Sequence, residues 1–396
     1  MANLLFLAHR LPYPPDKGDK VRSYNLLRYL LSRHRVYLGT FIDDPAVQVH
    51  LPVLQALCAE VCAPTLSPRL ARVGSLRGLV TGEPLTLPYY RHSHLSDWVA
   101  AVGRRERIDA TVVFSSAMAQ YVPAGGAAPV LVDLVDVDSA KWTAYADAHR
   151  GPLAWVYRRE GRTLQRFEAE VAARSTCTFL ATDKEAELFR TLAPAAAGKV
   201  KALFNGVDTG FFAPDSLRPN PFSDDELPIV FTGAMDYWPN VDAVTWFAGE
   251  VLPELRRRRP NLRFHIIGRN PAPSVAALAG EAISVSGTVP DVRPYLQHAA
   301  VVVAPLRLAR GIQNKVLEAM AMARPVVAAR ECVDALDKRP ADGLFPAELA
   351  ADYVREVERH LARPDLASAS GAAARDCVIQ DYRWAARLSA MDPWLP

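Results

Sequence analysis

The chain has little cysteine, and what it has makes no framework. Cys58, Cys62, Cys177, Cys332 and Cys377 are an odd, scattered set. This excludes a disulfide scaffold and points to a reducing compartment. Cys58 and Cys62 lie one helical turn apart, yet no nearby His or Cys pair completes a metal site, so they read as a core pair. Long apolar runs are also missing, and no stretch of about 18 apolar residues is present to cross a bilayer. The opening "MANLLFLAHR" is too short for a signal peptide and lacks its cleavage site. The expected location is cytoplasmic, with any membrane contact made peripherally, at the inner surface. A net charge of +3 gives no sign of a nucleic-acid partner. Familiar catalytic signatures are absent too. The loop "HRLPYPPDKGDK" after the first apolar run holds one glycine, Gly18, and not G-x-G-x-x-G. The sequence has no G-x-x-x-x-G-K-[ST], no H-E-x-x-H and no G-x-S-x-G. A dinucleotide oxidoreductase, a P-loop kinase and an α/β-hydrolase are therefore disfavoured.

What is present is an alternation of short apolar runs with longer amphipathic ones. With 396 residues the chain exceeds the usual ceiling for one hydrophobic core, so two domains are expected. Predicted strands cover 3–8, 36–42, 110–116, 129–135, 176–182 and 200–204, then 228–233, 263–268, 283–287, 300–306 and 325–329. Predicted helices include 20–33, 153–175, 241–258 and 313–323. Strands alternating with helices imply parallel sheets covered on both faces. The fold class is α/β, with two Rossmann-like doubly wound domains. One spans 1–208 and the other 228–380, with a Pro-rich linker at 209–227 and a terminal segment at 381–396. Ligands of such sheets bind beyond the carboxyl ends of the strands, so a cleft facing both domains is the expected site.

The stretch "RGIQNKVLEAMAMARPVVAA" (310–329) carries the sharpest chemical signal. It brings Arg310 and Gly311 to a helix N-terminus, where free N–H groups and the helix dipole favour an anion. Arg310 offers a planar fork for phosphate and Lys315 a mobile point charge. Lys315 and Glu318 are three apart and share a face. Glu318 can accept two hydroxyl hydrogen bonds, as from a ribose diol. Cations for phosphate and a carboxylate for ribose suit a nucleotide diphosphate. The competing reading is a helix N-terminus with an ordinary Lys–Glu surface pair.

Other constellations are less specific. Gly18 lets the backbone approach a phosphate or sugar, or simply makes a turn. Arg22, one turn on, faces the ligand in the first case. "DLVDVDSAKW" sets Asp136 and Asp138 after a buried strand, as acceptor contacts or a base, although Asp138 also suits an N-cap. His9, His92 and His94 are candidate proton carriers or structural histidines. The basic helix at 153–175, with Trp155 and Tyr157, can lie on an anionic membrane or be a solvated face.

Taken in order, these segments resemble family 4 glycosyltransferases of the GT-B fold. "ARGIQNKVLEAMAMARPVV" is similar to the family's donor-binding motif. "FNGVDTGFFAP" (204–214) is similar to its Asn-Gly-Val-Asp segment, and "FTGAMDYWPNVDA" (231–243) to the glycine loop of the second domain. "HIIGRNP" (265–271) and "VSGTVPDVRPYL" (285–296) match the next strand–loop pairs. More narrowly, "HRLPYPPDKGDKVRSYN" and "DLVDVDSAKW" resemble the sugar transferases of exosortase-linked exopolysaccharide systems. The resemblance implies that Glu318 holds the donor ribose. It also places Arg310 where the family has a first Glu that positions the donor sugar. The cation usual after the glycine loop is absent, and Arg310 and Lys315 compensate. Gly233 and its neighbours supply N–H groups to the phosphates, and Arg269 lies near the base.

The implied activity is a retaining, metal-independent hexosyl transfer from a nucleotide-diphosphate sugar to a glycan or lipid-linked acceptor. No cofactor and no metal are implied, so the Asp136–Asp138 spacing is not read as a metal site. Arg310 and Lys315 would stabilise the leaving diphosphate, and the 381–396 segment would cross back to the first domain. Two other readings share the donor pocket: a sugar-nucleotide epimerase of GT-B fold, and a non-catalytic nucleotide-sugar-binding protein.

Overall fold

The computed structural model describes residues 1–15, 18–123, 126–307, 312–340 and 342–396, without the side chain of Ala148. Arg310 and Gly311 lie outside the described residues. The chain divides into two compact units. The first is Met1–Phe204 with Leu388–Pro396, and the second is Asn205–Arg387.

In the first unit seven parallel strands form one sheet. They are β1 (Asn3–Ala8), β2 (Arg35–Gly39), β3 (Glu60–Cys62), β4 (Ala110–Phe114), β5 (Val130–Val135), β6 (Cys177–Leu180) and β7 (Val200–Ala202). Their order is β3-β2-β1-β4-β5-β6-β7. The inner strands are buried almost end to end because helices cover both faces, which is why they read as apolar runs. The chain moves outward from β1 to β3, then returns to place β4 beside β1. That reversal is the topological switch point, where the strand ends leave a crevice. Arg33 pairs with Asp392 at 2.7 Å, and Phe179 packs edge-on against Trp394, so the terminal residues belong to this unit.

The second unit repeats the scheme with β8 (Leu227–Thr232), β9 (Leu262–Ile267), β10 (Ile283–Val285), β11 (Val301–Ala304), β12 (Val326–Ala329) and β13 (Leu344–Ala347). The order is β10-β9-β8-β11-β12-β13, all parallel, so the switch point lies between β8 and β11. The segment 205–226 packs within this unit. Gln297 accepts from the Asp215 N–H, Phe222 packs tilted against His265, and Arg293 lies over Phe211.

Two predicted elements changed form. The helix expected at 241–258 is divided into Trp238–Trp246, a π-turn at Phe247–Val251 and Leu252–Arg258. Pro253 has no N–H to continue an α ladder, and the wider turn absorbs the interruption. The helix expected at 20–33 begins earlier, at Gly18, and ends at Leu31.

Candidate active site

In the second unit the switch point gathers three loops. β8 ends at Thr232 and gives way to Gly233. β9 ends at Ile267 and gives way to Gly268. After β11 the chain leads to the helix Asn314–Ala321, which carries Lys315 in its first turn. The Lys315 ammonium donates to Asn240 Oδ1 at 2.6 Å and lies 4.2 Å from the centre of the Phe231 ring. Asn240 is fixed in turn, since its Nδ2 donates to the Ala234 carbonyl at 2.8 Å. Lys315 thus comes to rest against the glycine loop. A Cβ on Gly233 would lie 2.8 Å from Lys315 Nζ and 2.7 Å from Asn240 Nδ2. One on Gly268 would lie 1.6 Å from the Gly233 carbonyl oxygen. Both positions therefore require glycine for close approach.

Lys315 and Glu318 are only partly exposed and make no direct ion pair with each other. Burial lowers the Lys315 pKa to about 7, although Cys332 and Glu318 oppose the shift. Burial raises the Glu318 pKa to about 7 against the pull of Lys315. Desolvation penalises the charged form of each. The Glu318 carboxylate has no hydrogen-bond partner among the described residues. Two buried oxygens, Thr232 Oγ1 beside Gly233 in sequence and Asn314 Oδ1 beside Lys315, are likewise unpaired among the described residues. Buried polar atoms in this state call for a ligand or water. A cation, a carboxylate and unpaired oxygens can together hold an anionic, hydroxyl-rich ligand.

The Gly233 expectation needs one correction. Its own N–H is not available to a phosphate, because it continues the ladder to the Ile267 carbonyl at 3.0 Å. The Met235 N–H is taken up by the Arg269 carbonyl at 2.8 Å. Only the Ala234 and Asp236 N–H groups of this loop are without a backbone partner among the described residues. Arg269 contributes that carbonyl, while its half-buried guanidinium is unpaired among the described residues.

In the first unit the switch point opens into a pocket of about 520 Å³ lined by His9, Ser115, Lys141, Trp142, Tyr145 and Tyr157 among others. His9 follows β1, stacks on Phe114 and lies 3.5 Å from Asp19. Burial works against the Asp19 carboxylate, but His9 and Arg10 outweigh it and hold its pKa well below the usual range. Lys141 donates to Asp136 at 2.9 Å and to Asp138 at 3.0 Å. Desolvation opposes its charge, yet the two carboxylates raise its pKa. The N-cap of the helix Asp138–Ala148 is Val137, not Asp138, whose carboxylate turns to Lys141 instead. His92 is the N-cap of the helix Ser93–Arg105, and its ring lies 6.3 Å from Phe41 and 6.4 Å from His94.

Arg22 is placed otherwise than the sequence suggested. It is 1% exposed, and its guanidinium grips Asp133 through Nε at 2.7 Å and Nη2 at 3.0 Å. A bidentate pair of this kind leaves no fork for a phosphate. Asp133 Oδ1 also accepts from the Val135 N–H at 3.1 Å, and Val135 has φ 70°. A β-branched residue there is strained, as is Ser115 at φ 77°. The buried pair holds the kink that aims Asp136 and Asp138 outward. Gly18 opens its helix in free space, with nothing within 4 Å of an added Cβ. Among the described residues no three His, Cys, Asp or Glu side chains gather to hold a metal ion.

Residues 226–363, about a third of the chain, match the family model described as glycosyl transferases group 1. The solved structures similar to the whole chain are of GT-B type. The fold is GT-B. HepE from Anabaena, crystallised with UDP and glucose, is 14% identical, with a TM-score of 0.66 over 99% of both chains. Sucrose-phosphate synthase from Thermosynechococcus elongatus is 16% identical, with a TM-score of 0.68 over 99% of this chain and 98% of its own. A glycosyltransferase from Rickettsia africae is 12% identical, with a TM-score of 0.64 over 99% and 97%. No curated protein sequence matches the chain.

Asn240, Phe231 and Gly268 were not singled out from sequence. The only signal for Asn240 was its place in the segment after the glycine loop, and nothing there tied it to Lys315, 75 residues on.

Proposed function

We propose that the chain is a retaining glycosyltransferase acting on a nucleotide-diphosphate sugar. It would transfer a hexosyl group to a hydroxyl of a glycan or lipid-linked acceptor in exopolysaccharide biosynthesis, without metal or further cofactor. The observation that carries this reading is Lys315, held by Asn240 against Gly233 at the switch point of the second sheet, with the unpaired Glu318 carboxylate one turn on. The group 1 match over the same residues and the UDP complexes of HepE support it.

The steps follow from the chemistry of these side chains. The diphosphate lies against Lys315, the Ala234 and Asp236 N–H groups and Arg310, and the ribose diol donates to Glu318. As the bond from the anomeric carbon to the phosphate oxygen breaks, negative charge collects on the diphosphate, and Lys315 stabilises it. The acceptor oxygen bonds to the anomeric carbon on the face being vacated. Its proton passes to the departing phosphate oxygen. Asp136 and Asp138, both held by Lys141, accept hydrogen bonds from the acceptor and orient it.

The test is an assay of UDP-sugar and GDP-sugar donors with and without lipid-linked glycan acceptors, with and without EDTA. Nucleotide release that requires an acceptor and survives EDTA is the expected result. Conversion of the sugar nucleotide alone would indicate an epimerase. Tight nucleotide binding without turnover would indicate the non-catalytic protein for which Arg310, in place of the family's Glu, is the best argument.

A further inference from the structure

In the first unit the segment 67–82 is folded with its apolar side outward. The helices Pro68–Ser75 and Arg77–Thr81 meet the protein through Ala71, Ser75 and Gly78. Their large apolar side chains face solvent: Leu70 is 74% exposed, Val80 is 90% exposed, and Val73 and Leu76 are also exposed. This reverses the pattern of a helix on a soluble surface. Single exposed apolar residues are ordinary, but a contiguous set marks an interaction surface. Between them stand Arg69, Arg72 and Arg77, which make no ion pair among the described residues. From Ala63 to Gly82 there is no acidic residue. The turn is anchored from beneath, where the buried Arg159 donates to the Glu83 carbonyl at 3.2 Å.

We propose that these two helices form a docking surface for an anionic lipid bilayer. Apolar side chains interleaved with unpaired arginines suit an interface whose acyl chains lie beneath negative headgroups. A protein partner would have to cover arginines and aliphatics alternately, while a bilayer satisfies both by depth. The same surface borders the pocket of the first unit, since Arg72 and Ser75 line that pocket together with Trp142 and Tyr157. A lipid-linked acceptor would reach the pocket while its lipid remains in the bilayer. This last step rests on the glycosyltransferase reading; the docking surface itself does not. It is a different surface from the basic helix, observed at Pro152–Arg174, for which the sequence left a membrane face and a solvated face open.

The test is flotation of the full chain with vesicles of phosphatidylcholine alone or mixed with phosphatidylglycerol. Binding is expected only to the mixed vesicles. Arg77→Ala should lower partitioning about fivefold, as one cation near a charged surface contributes. Val80→Ser should lower it on the order of tenfold by loss of buried apolar area. Both positions are exposed, and unchanged melting temperatures will verify the fold. Equal behaviour of the parent on both vesicle types, absence of binding, or variants that float like the parent would overturn the proposal. So would a dimer in solution that Val80→Ser dissolves, since a second copy would then be the occupant. Nucleotide-induced stabilisation, measured in the same samples without vesicles, keeps the readings apart. Its loss with vesicle binding intact counts against the donor reading alone.

Discussion

Lys315 and Asn240, 75 residues apart in sequence, meet at 2.6 Å over Gly233. The contact joins the helix Trp238–Trp246, which follows β8 and its glycine loop, to the helix after β11. Replacing Lys315 with Ala should lower transfer more than donor binding if the ammonium acts on the leaving group. A kcat/KM and Kd comparison checks this, and equal losses would make Lys315 a binding residue only.

Glu318→Ala removes the carboxylate assigned to the ribose. Loss of charged hydrogen bonds should weaken nucleotide binding by roughly 1–3 kcal/mol. Calorimetry on the folded variant measures it directly.

Gly233 and Gly268 should respond differently to alanine. At Gly268 the new Cβ meets backbone, the Gly233 carbonyl oxygen at 1.6 Å, so Gly268→Ala should destabilise the second unit. At Gly233 it meets the ends of Lys315 and Asn240, which can move. Gly233→Ala, at φ 158°, should therefore cost some stability, but less than Gly268→Ala, and should lose nucleotide affinity. Thermal melts and binding on both variants separate the cases.

The Lys315 and Glu318 shifts predict a proton signature. Lys315 has a folded pKa of about 7, below its unfolded value, so its contribution to stability rises with pH from 7 toward 10. Glu318, raised to about 7, contributes stability that falls as pH climbs from its unfolded value toward 7. A diphosphate at pH 8 restores the charge on Lys315, so binding should take up a proton. Calorimetry at pH 8 in buffers of different ionisation enthalpy reads this, and Lys315→Met should abolish the uptake.

Asp133→Ala would remove the carboxylate that holds the buried Arg22 guanidinium at 2.7 and 3.0 Å. Breaking such a pair should cost about 3–5 kcal/mol. Urea unfolding gives the value, and a loss below about 1 kcal/mol would remove the pair from its proposed role in the kink at Val135.

Much of the architecture was legible because buried parallel strands are continuous apolar runs. "AVVVAPL" and "PVLVDLV" announce β11 and β5 without ambiguity. β3 and β13 were missed. Glu60–Cys62 is only three residues, and Leu344–Ala347 contains Pro346; both are edge strands with little pattern to read. The helices at 68–81 were missed for a different reason, since their small residues face the protein and their large ones do not. At the site, Lys315 and Glu318 were visible through their spacing on one helix. The Arg22 contact was not visible, because its partner Asp133 is 111 residues away. Periodicity reports which face of an element is apolar; it does not report which charge from another strand will be waiting there.

In the proposed function the switch point of the second sheet binds a nucleotide diphosphate through Lys315 and Glu318. A thermal-shift panel of UDP, GDP and ADP, with EDTA present, on the parent chain and on Glu318→Ala tests it most directly. One nucleotide should raise the melting temperature of the parent, and the variant should need a higher concentration for the same shift. No shift with any nucleotide, or equal shifts in both proteins, would contradict the account.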